Sequence, residues 1–342
     1  MDILLLDALV PEALAWLQTR HSVAYLPELA DDPVALRKAA YKSVGIVFPR
    51  HAVVTRELLD FAPRLKAVAR MQVGTDNTDL EACRERNIRV IHASSANVRS
   101  NAEYLLSCLM LLYRRGVVSS LMGRKQSSAP LGRELHGSTV GLLGLAPAAH
   151  VLAEMLNSLG VRVLGYDPAV HHTAPIWDRL GITPVTLADL MGHSDAVSVQ
   201  MLYAQRFKGF VNAPLLAPCK PGQVWVGLSR SELFDEAALA DALNDGRIEA
   251  FVLDGASAGF NAEGSPLQGL NNLFITPRLG SYTREARLRS SWYIAHRLDK
   301  TIGEQHSGFE ALRSAPMGLD MLGVVSPGHS PSQWGDSDFM SR

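Results

Sequence analysis

Short apolar runs alternate with helical patterns from the first residues of the chain onward. The runs are DILLLDA, SVGIVF, KAVARM and IRVIHAS, and the helical segments between them are PEALAWLQ, TRELLDFA and DLEACRERN. Alternation of this kind is typical of a mostly parallel sheet whose faces are covered by helices. The sequence therefore predicts an α/β protein.

A second series of the same kind follows a long helical segment at about 97–125. Its six strand candidates are STVGLLGL, VRVLGYD, AVSVQML, QVWVGLS, EAFVLDG and NLFITP. Six strands with helices between them fit one doubly wound nucleotide-binding domain. The long helix is predicted to be either a buried connector or a contact between subunits. The segment TREARLRSSWYIAHRLDK, after the last strand, is predicted to return to the first domain.

Length and charge limit the classes of function. A chain of 342 residues with 47% hydrophobic content can bury a large core, and its length favours two domains. A net charge of -1 gives no electrostatic sign of a nucleic acid or an anionic membrane as partner. The first residues lack the basic start of a signal peptide, and no apolar run approaches the roughly 18 residues of a spanning helix. We therefore expect a cytoplasmic protein with small-molecule partners.

The cysteines and histidines do not form a recognisable metal or disulfide pattern. Cys83, Cys108 and Cys219 are far apart, which favours buried free thiols. The eleven histidines include no ligand spacing, so we expect no metal. The segment 326–342 is rich in Ser, Gly, Pro and Asp and is predicted to be a flexible tail.

The stretch VGLLGLAPAAH has the form of a strand that turns into a helix at a glycine. It reads G-x-A-P-A-A where a dinucleotide-binding turn reads G-x-G-x-x-G. Gly144 keeps the tight turn, whereas Ala146 places a methyl group where a phosphate oxygen would approach. Pro147 suits the first helical position but offers no N–H to an anion, which costs about 1 to 3 kcal/mol if nothing replaces that donor. We include Gly144, Ala146, Pro147 and Ala148 among the predicted cofactor-binding residues.

An acid ends the next strand. Asp167 lies 23 residues after Gly144, where dinucleotide-binding proteins place the carboxylate that binds the ribose hydroxyls of NAD. The alternative is that Asp167 only caps a strand end before Pro168. No Arg follows Asp167, so NAD is favoured over NADP as the cofactor.

Further motifs occur in a fixed order along the chain: VARMQVGTDNTD, SSANVRSNAEYLL, LSRSELFDEAALADAL, FVLDG and ITPRLGSYT. Together with the glycine turn they resemble the D-isomer-specific 2-hydroxyacid dehydrogenase family, which includes phosphoglycerate, glyoxylate, D-lactate, formate and phosphite dehydrogenases. The resemblance covers most of residues 1 to about 310. It implies two Rossmann-like domains with doubly wound parallel sheets, a site in the cleft between them, and a homodimer.

The resemblance also implies the domain limits. Residues 1–96 plus 286–325 would form a discontinuous, flavodoxin-like substrate-binding domain. Residues 97–285 would form an inserted NAD-binding Rossmann domain.

Several site residues follow from the resemblance. Val73 and Gly74 in VGTD would present backbone N–H groups to the substrate carboxylate. Arg230 would bind a 2-oxo acid through its planar guanidinium, although it could also be an ordinary surface Arg at a strand end. Asn101 would lie close to the nicotinamide of NAD, and Asp254 would contact the nicotinamide carboxamide. Ser229 is included among the predicted cofactor-binding residues.

The catalytic pair of the family is replaced. The family places a His in T-P-H-x-x-G and a Glu five residues after the Asp of a D-V-F type motif, whereas this chain has Arg278 and Gly259 there. Arg cannot serve as an acid or base because its pKa is above about 12. It can still bind an anionic substrate, so Arg230 and Arg278 are the predicted catalytic residues. Substitutes for the pair would be a water or one of four side chains, Ser257, Glu263, Ser281 and Tyr282.

Two functions fit these observations. The first is an NAD-dependent oxidoreductase that acts slowly on a small anionic 2-hydroxy or 2-oxo acid, because acid–base help of about 10² to 10⁴-fold is missing. The second is a catalytically inactive family member that acts as a nucleotide-binding or regulatory dimer.

Overall fold

The computed structural model of the chain describes residues 1–71, 77–93, 95–121 and 131–303. The chain divides into two compact units. The first consists of Met1–Asn97 together with the segment that begins at Arg284, and the second is Val98–Thr283.

The first unit contains a five-stranded parallel sheet with the order β2-β1-β3-β4-β5. Its strands are β1 (Ile3–Leu5), β2 (Val23–Tyr25), β3 (Gly45–Phe48), β4 (Ala67–Arg70) and β5 (Arg89–His92). Its helices are α1 (Pro11–Gln18), α2 (Pro33–Ala40), α3 (Arg56–Asp60), α4 (Leu80–Glu85) and α12 (Arg284–Gly303), with a 3₁₀ helix at Pro27–Asp31. This strand order is that of flavodoxin-like domains.

The sequence explains these elements locally. Every residue of β1, β3 and β4 is buried, as expected for parallel strands covered on both faces. The helices α2, α3 and α4 begin after Asp32, Thr55 and Asp79, whose side chains accept hydrogen bonds from amides of the first turn. Sequence reasoning missed β2 and α2, because β2 has only three residues and none is buried.

The last helix packs on the first sheet. Ile294, Ala295 and Leu298 of α12 are fully buried in a cluster that includes Ile3 and Leu5 of β1. Helix α12 therefore belongs to the first unit.

The second unit contains a seven-stranded parallel sheet with the order β12-β11-β10-β9-β6-β7-β8. Its strands are β6 (Thr139–Leu143), β7 (Arg162–Tyr166), β8 (Thr183–Pro184), β9 (Ala196–Val199), β10 (Gln223–Gly227), β11 (Ile248–Asp254) and β12 (Leu273–Thr276). Its helices are α5 (Val98–Tyr113), α6 (Arg115–Leu121), α7 (Pro147–Ser158), α8 (Ile176–Arg179), α9 (Leu187–His193), α10 (Ala213–Leu216) and α11 (Glu236–Asn244), with 3₁₀ helices at Gln205–Phe207 and Ser231–Leu233. The order is that of a Rossmann domain with one strand added beyond its sixth.

Two sequence-based expectations for this unit were wrong. The six predicted strands omit β8, which has only two residues, Thr183 and Pro184. The single helix predicted at about 97–125 is two helices, α5 and α6. The break has a cause in the backbone, because the carbonyl of Tyr113 accepts a hydrogen bond of 2.8 Å from the amide of Arg133. That carbonyl is therefore used outside the helix instead of bonding the amide four residues on.

The three cysteines are buried free thiols, as predicted. Within the described ranges no helix is both long and apolar enough to cross a membrane. Over the same residues, no group of three or more His, Cys, Asp and Glu side chains is arranged to hold a metal ion.

Candidate active site

The candidate site lies at the carboxyl ends of the strands of the seven-stranded sheet. Because all seven strands are parallel, these ends share one edge, and ligands of doubly wound proteins bind where the strand order reverses. The order reverses here between β6 and β9. Six predicted site residues lie at this edge: Gly144 after β6, Asp167 after β7, Ser229 and Arg230 after β10, Asp254 at the end of β11, and Arg278 after β12.

Gly144 makes the turn at the point of reversal. Its φ is +96°, and a Cβ atom there would lie 2.5 Å from both the Cα and the N of Met201, which follows β9. Both the backbone conformation and the space therefore exclude a side chain at this position. The amide of Gly144 donates to the carbonyl of Tyr166 over 2.7 Å, which joins the turn to the end of β7.

The turn leads directly into α7. Ala146 precedes the helix with φ -57° and ψ 155°, and no side chain of the described residues caps this end. Pro147 occupies the first helical position and has no N–H. The amide of Ala149 donates to the carbonyl of Ala146 over 2.7 Å. The end of α7 keeps the polarity that favours an anion, with one N–H fewer than an unsubstituted turn would offer.

Asp167 holds the turn from the neighbouring strand. Its Oδ2 accepts a hydrogen bond of 2.7 Å from the amide of Leu145, and its Oδ1 accepts one of 2.8 Å from the amide of Ala169. Each carboxylate oxygen has a further lone pair, so ribose hydroxyls can bind without displacing these contacts. The strand-end capping that the sequence left open as an alternative is therefore present, and it leaves acceptor capacity for a ligand.

His150 lies beside this turn and was missed by sequence reasoning. It is half-buried in the first turns of α7. Burial lowers the pKa of the His150 imidazole, while a hydrogen bond to the backbone of Leu145 and the charge of Asp167 raise it. Because burial is the largest effect, the neutral imidazole is favoured next to the turn. The signal available in the sequence was only its spacing, six residues after Gly144.

Ser229 and Arg230 follow β10. The buried hydroxyl of Ser229 lies 3.1 Å from the carbonyl of Val199 and 3.2 Å from that of Met201 and shares its single hydrogen between them, so it ties the end of β10 to the end of β9. The guanidinium of Arg230 lies 5.4 Å from the ring centre of Tyr203, and its Nε lies 3.6 Å from Oε2 of Glu232. The Arg230 side chain is 40% exposed, so a ligand can reach it.

Asp254 organises the loop that follows β12. It is only 7% exposed. Its Oδ1 accepts from the hydroxyl of Thr276 over 2.5 Å and from the amide of Leu279 over 2.7 Å, and its Oδ2 accepts from the amide of Gly280 over 2.9 Å. Three hydrogen bonds therefore fix this carboxylate and the loop together.

Asn101 reaches the same place from α5. A Cβ atom on Gly280 would lie 3.0 Å from Oδ1 of Asn101 and 3.1 Å from Oδ2 of Asp254. The Asn101 amide and the Asp254 carboxylate therefore converge above the Cα of Gly280. The structure brings together these two residues, both predicted to lie close to the nicotinamide.

Arg278 has an unusual backbone conformation. Its φ is +60°, a region that non-glycine residues rarely adopt. Its side chain crosses Gly255, since a Cβ atom on Gly255 would lie 2.5 Å from Cγ and 3.1 Å from Nε of Arg278. Gly255 itself has a φ of +82°. Sequence reasoning did not connect these two positions, although the sequence contains the signal, DGA in place of a D-V-F type motif.

Val73 and Gly74, which the sequence predicts to bind the substrate carboxylate, lie outside the described residues.

Comparisons with known proteins place this chain among the dehydrogenases. Residues 108–280 match the model of the D-isomer specific 2-hydroxyacid dehydrogenase NAD binding domain. The chain is 32% identical over 305 residues to an (S)-sulfolactate dehydrogenase of Chromohalobacter salexigens, an alignment that covers 88% of this chain and 98% of the relative. The chain belongs to the D-isomer specific 2-hydroxyacid dehydrogenase family.

Other members of this family share the fold. The chain is 33% identical over 296 residues to a D-3-phosphoglycerate dehydrogenase of Mycobacterium tuberculosis, covering 86% of this chain and 55% of the relative. It therefore spans about half the length of that enzyme. A crystal structure of a D-isomer specific 2-hydroxyacid dehydrogenase from Polaromonas superposes with a TM-score of 0.76 at 24% identity, covering 89% of this chain and 97% of the other.

The residues of the second unit fit the cofactor of the family. The matched model describes an NAD-binding domain, so NAD is the cofactor of this chain. The close backbone approach at Gly144, the α7 end without a side-chain cap and the Asp167 carboxylate form a suitable surface for a pyrophosphate and a ribose. Ala146 and Pro147 weaken that surface without closing it.

Gly259 occupies the position at which the family has its Glu. Gly259 has a φ of +97°, and no atom of the described residues lies within 4 Å of the place of a Cβ. There is room for a side chain, but the backbone conformation disfavours one. Nearby, the hydroxyl of Ser257 lies 2.5 Å from that of Ser231, so this candidate for a substitute acid or base is already engaged in a hydrogen bond.

Proposed function

We propose that this family member transfers a hydride between NAD and a small 2-hydroxy or 2-oxo acid. The observation that carries the proposal is the turn at Gly144, which the carboxylate of Asp167 holds through the amide of Leu145 at the point where the strand order reverses. In this assignment the pyrophosphate lies at the α7 end, and Asp167 binds the ribose. Asn101 and Asp254 receive the nicotinamide.

The substrate in this proposal is a small anion. Arg230 and Arg278 supply two positive charges at the carboxyl edge of the sheet, and the amides of Val73 and Gly74 are assigned to the substrate carboxylate. The similarity to a sulfolactate dehydrogenase supports a 2-hydroxy acid that carries a second acidic group, because two guanidinium groups suit two anionic groups. The NAD molecule supplies or accepts the hydride, and the protein binds and orients the acid.

We expect turnover to be slow. Arg278 stays charged at all physiological pH values and cannot exchange a proton with the substrate oxygen. The positive charge of Arg278 stabilises a developing alkoxide, but proton transfer falls to water. The loss of a positioned acid or base lowers the rate by about 10² to 10⁴-fold.

A second candidate is a catalytically inactive member that binds NAD and acts as a regulatory dimer. The conformation of Gly259 favours it, because a backbone with a φ of +97° has moved away from what a Glu would adopt. The fold is compatible with both candidates.

A titration and an assay separate the candidates. Calorimetry with NADH is followed by an assay of NADH oxidation over a panel of 2-oxo acids that includes the 2-oxo acid of sulfolactate. Oxidation with any of them supports the dehydrogenase, and binding without oxidation across the panel supports the inactive member. No binding of NADH overturns both. Asp167→Asn should weaken NADH binding about tenfold, whereas Asp178→Asn, an exposed change on α8, should leave it unchanged.

We also propose that two copies associate through the α5–α6 region. Met110 on α5 and Val117 on α6 are each 46% exposed, so both apolar side chains are available to pack against a second copy. Sedimentation velocity of the purified protein tests this assembly, and a monomer at micromolar concentration contradicts it. A cytoplasmic location stays a prediction from the sequence.

A further inference from the structure

A chain of hydroxyl groups leads from α5 to the carboxylate of Asp254. The Oη of Tyr104 lies 2.6 Å from the Oγ1 of Thr276, and that Oγ1 lies 2.5 Å from the Oδ1 of Asp254. Tyr104 is in the second turn of α5, while Thr276 and Asp254 end the neighbouring strands β12 and β11. Three elements are therefore joined at one oxygen of the carboxylate.

The direction of both hydrogen bonds follows from the available protons. Thr276 has one hydroxyl hydrogen, and the Asp254 carboxylate can only accept, so the hydrogen of Thr276 points to Asp254. The oxygen of Thr276 must then accept from the hydroxyl of Tyr104. Burial raises the pKa of Tyr104 well above its usual value, so its hydroxyl keeps the hydrogen that it donates to Thr276. Hydrogen bonds arranged in one direction polarise and strengthen one another.

The hydrogen bonds to Asp254 hold its carboxylate in one orientation. Thr276 and the amide of Leu279 occupy Oδ1, and the amide of Gly280 occupies one position on Oδ2. A carboxylate has about four acceptor positions, so these contacts leave one, on Oδ2. That oxygen is the one that converges with the amide of Asn101 above Gly280.

We propose that Tyr104 and Thr276 are positioning residues, which hold Asp254 so that its remaining acceptor position on Oδ2 receives an N–H of the nicotinamide carboxamide. The inference rests on the proposed function, because it concerns the same cofactor site. It adds two residues to that site that contact Asp254 directly or through one hydroxyl.

The test compares ligands with and without the carboxamide amine. NADH, ADP-ribose, which lacks nicotinamide, and 3-acetylpyridine adenine dinucleotide, in which a methyl replaces the amide nitrogen, are titrated by calorimetry. Thr276→Val removes the hydroxyl and keeps the shape of the side chain. It should weaken NADH about fivefold to tenfold and leave ADP-ribose within about twofold. The preference of the protein for NADH over the reduced form of the acetylpyridine analogue should shrink by the same factor.

Two further variants keep the test independent of folding. Thr276→Ser retains the hydroxyl and should bind NADH as the wild type does. Tyr104→Phe should weaken NADH about twofold to threefold in the wild-type background, and it should have no effect when Thr276 is already Val, because the chain is then broken. Tyr25→Phe, at a half-exposed position in the first unit, is the matched control.

The outcomes are distinguishable. Equal weakening of NADH and ADP-ribose in Thr276→Val would mean that the hydroxyl supports the fold rather than the carboxamide, and it would overturn the inference. Unchanged NADH binding in Thr276→Val would overturn it too. If the wild type binds NADH no better than the reduced acetylpyridine analogue, the carboxamide assignment fails, whereas a wild type that does not bind NADH overturns the proposed function itself.

Discussion

The two ends of the cofactor site have responded differently to sequence change. At the turn, Ala146 and Pro147 replace the expected residues, but the backbone frame of Gly144, Leu145 and Asp167 is intact. In the loop after β12, the long side chain of Arg278 fits because Gly255, over which it passes, has no side chain. The frame of the turn consists of backbone groups and one carboxylate, so it tolerates exchange of the side chains around it. The loop depends on the Arg278 side chain, which lies over the backbone of Gly255, so a change at either position affects the other.

The largest effect is expected at the turn. Gly144→Ala should lower the free energy of unfolding by about 3 kcal/mol, because it combines a positive φ with a collision against the backbone of Met201. Thermal or urea unfolding measures this loss. Gly137→Ala is the control, since Gly137 has a φ of +74° and no described atom within 4 Å of the added Cβ. It should lose only about 1 kcal/mol. Equal losses in the two variants would show that the approach to Met201 is not tight.

In the loop, the effects of substitutions at Gly255 and Arg278 should depend on each other. Gly255→Ala should destabilise the protein by about 2 kcal/mol, because the new methyl group meets Cγ of Arg278. In the Arg278→Ala background, which lacks that atom, the same change should cost about 1 kcal/mol, the remaining cost of a φ of +82°. A double-mutant cycle by urea unfolding gives the coupling. Additive effects would remove the basis for treating Gly255 and Arg278 as a pair.

Restoring the family's pair tests whether the loop alone limits turnover. Arg278→His with Gly259→Glu should raise the rate of 2-oxo acid reduction about tenfold, a part of what a positioned acid supplies. The gain is limited because Glu must adopt the positive φ of Gly259 or shift the loop. Arg278→His alone should gain less, since nothing then orients the imidazole. A pair no faster than the wild type in steady-state assays would place the cause of slow turnover outside this loop.

The smallest effect is the loss of stability at low pH that arises from His150 beside the turn. The pKa of His150 in the folded protein lies below its usual value of 6.5, so the folded state holds fewer protons than the unfolded state in mild acid. The stability that neutral His150 contributes is complete above pH 6.5 and is lost as pH falls through the lowered pKa. His150→Gln should therefore flatten the decline of the unfolding temperature below that pH. His193→Gln, at an exposed site on α9, should leave the decline unchanged.

The fold was largely predictable from the sequence because apolar runs and helical patterns are local. Every strand of the second sheet except β8 was identified, and β8 escaped because Thr183 and Pro184 form no apolar run. The division of α5 from α6 was not predictable, since it depends on the amide of Arg133, which lies twenty residues beyond the Tyr113 carbonyl that it bonds.

Motifs in the sequence identified the site residues, but they did not identify the residues that form hydrogen bonds with them. Asp254 was identified from FVLDG, but its contacts with Thr276 and Gly280 join two strands that meet only in the folded sheet. Tyr104 carries no motif of its own, and a tyrosine on an apolar helix face is most often part of a core. Its role depends on the 2.6 Å contact with a residue 172 positions away.

The crossing of Arg278 over Gly255 also constrains the order in which these residues could have been acquired. With the backbone as it is, a long side chain at 278 occupies the volume of any Cβ at 255. An ancestor with the D-V-F type motif would have gained the arginine at a cost in stability as long as it kept its valine. Gly255 therefore acts as a permissive substitution, and a descendant that regains valine there would lose stability unless the Arg278 side chain moves.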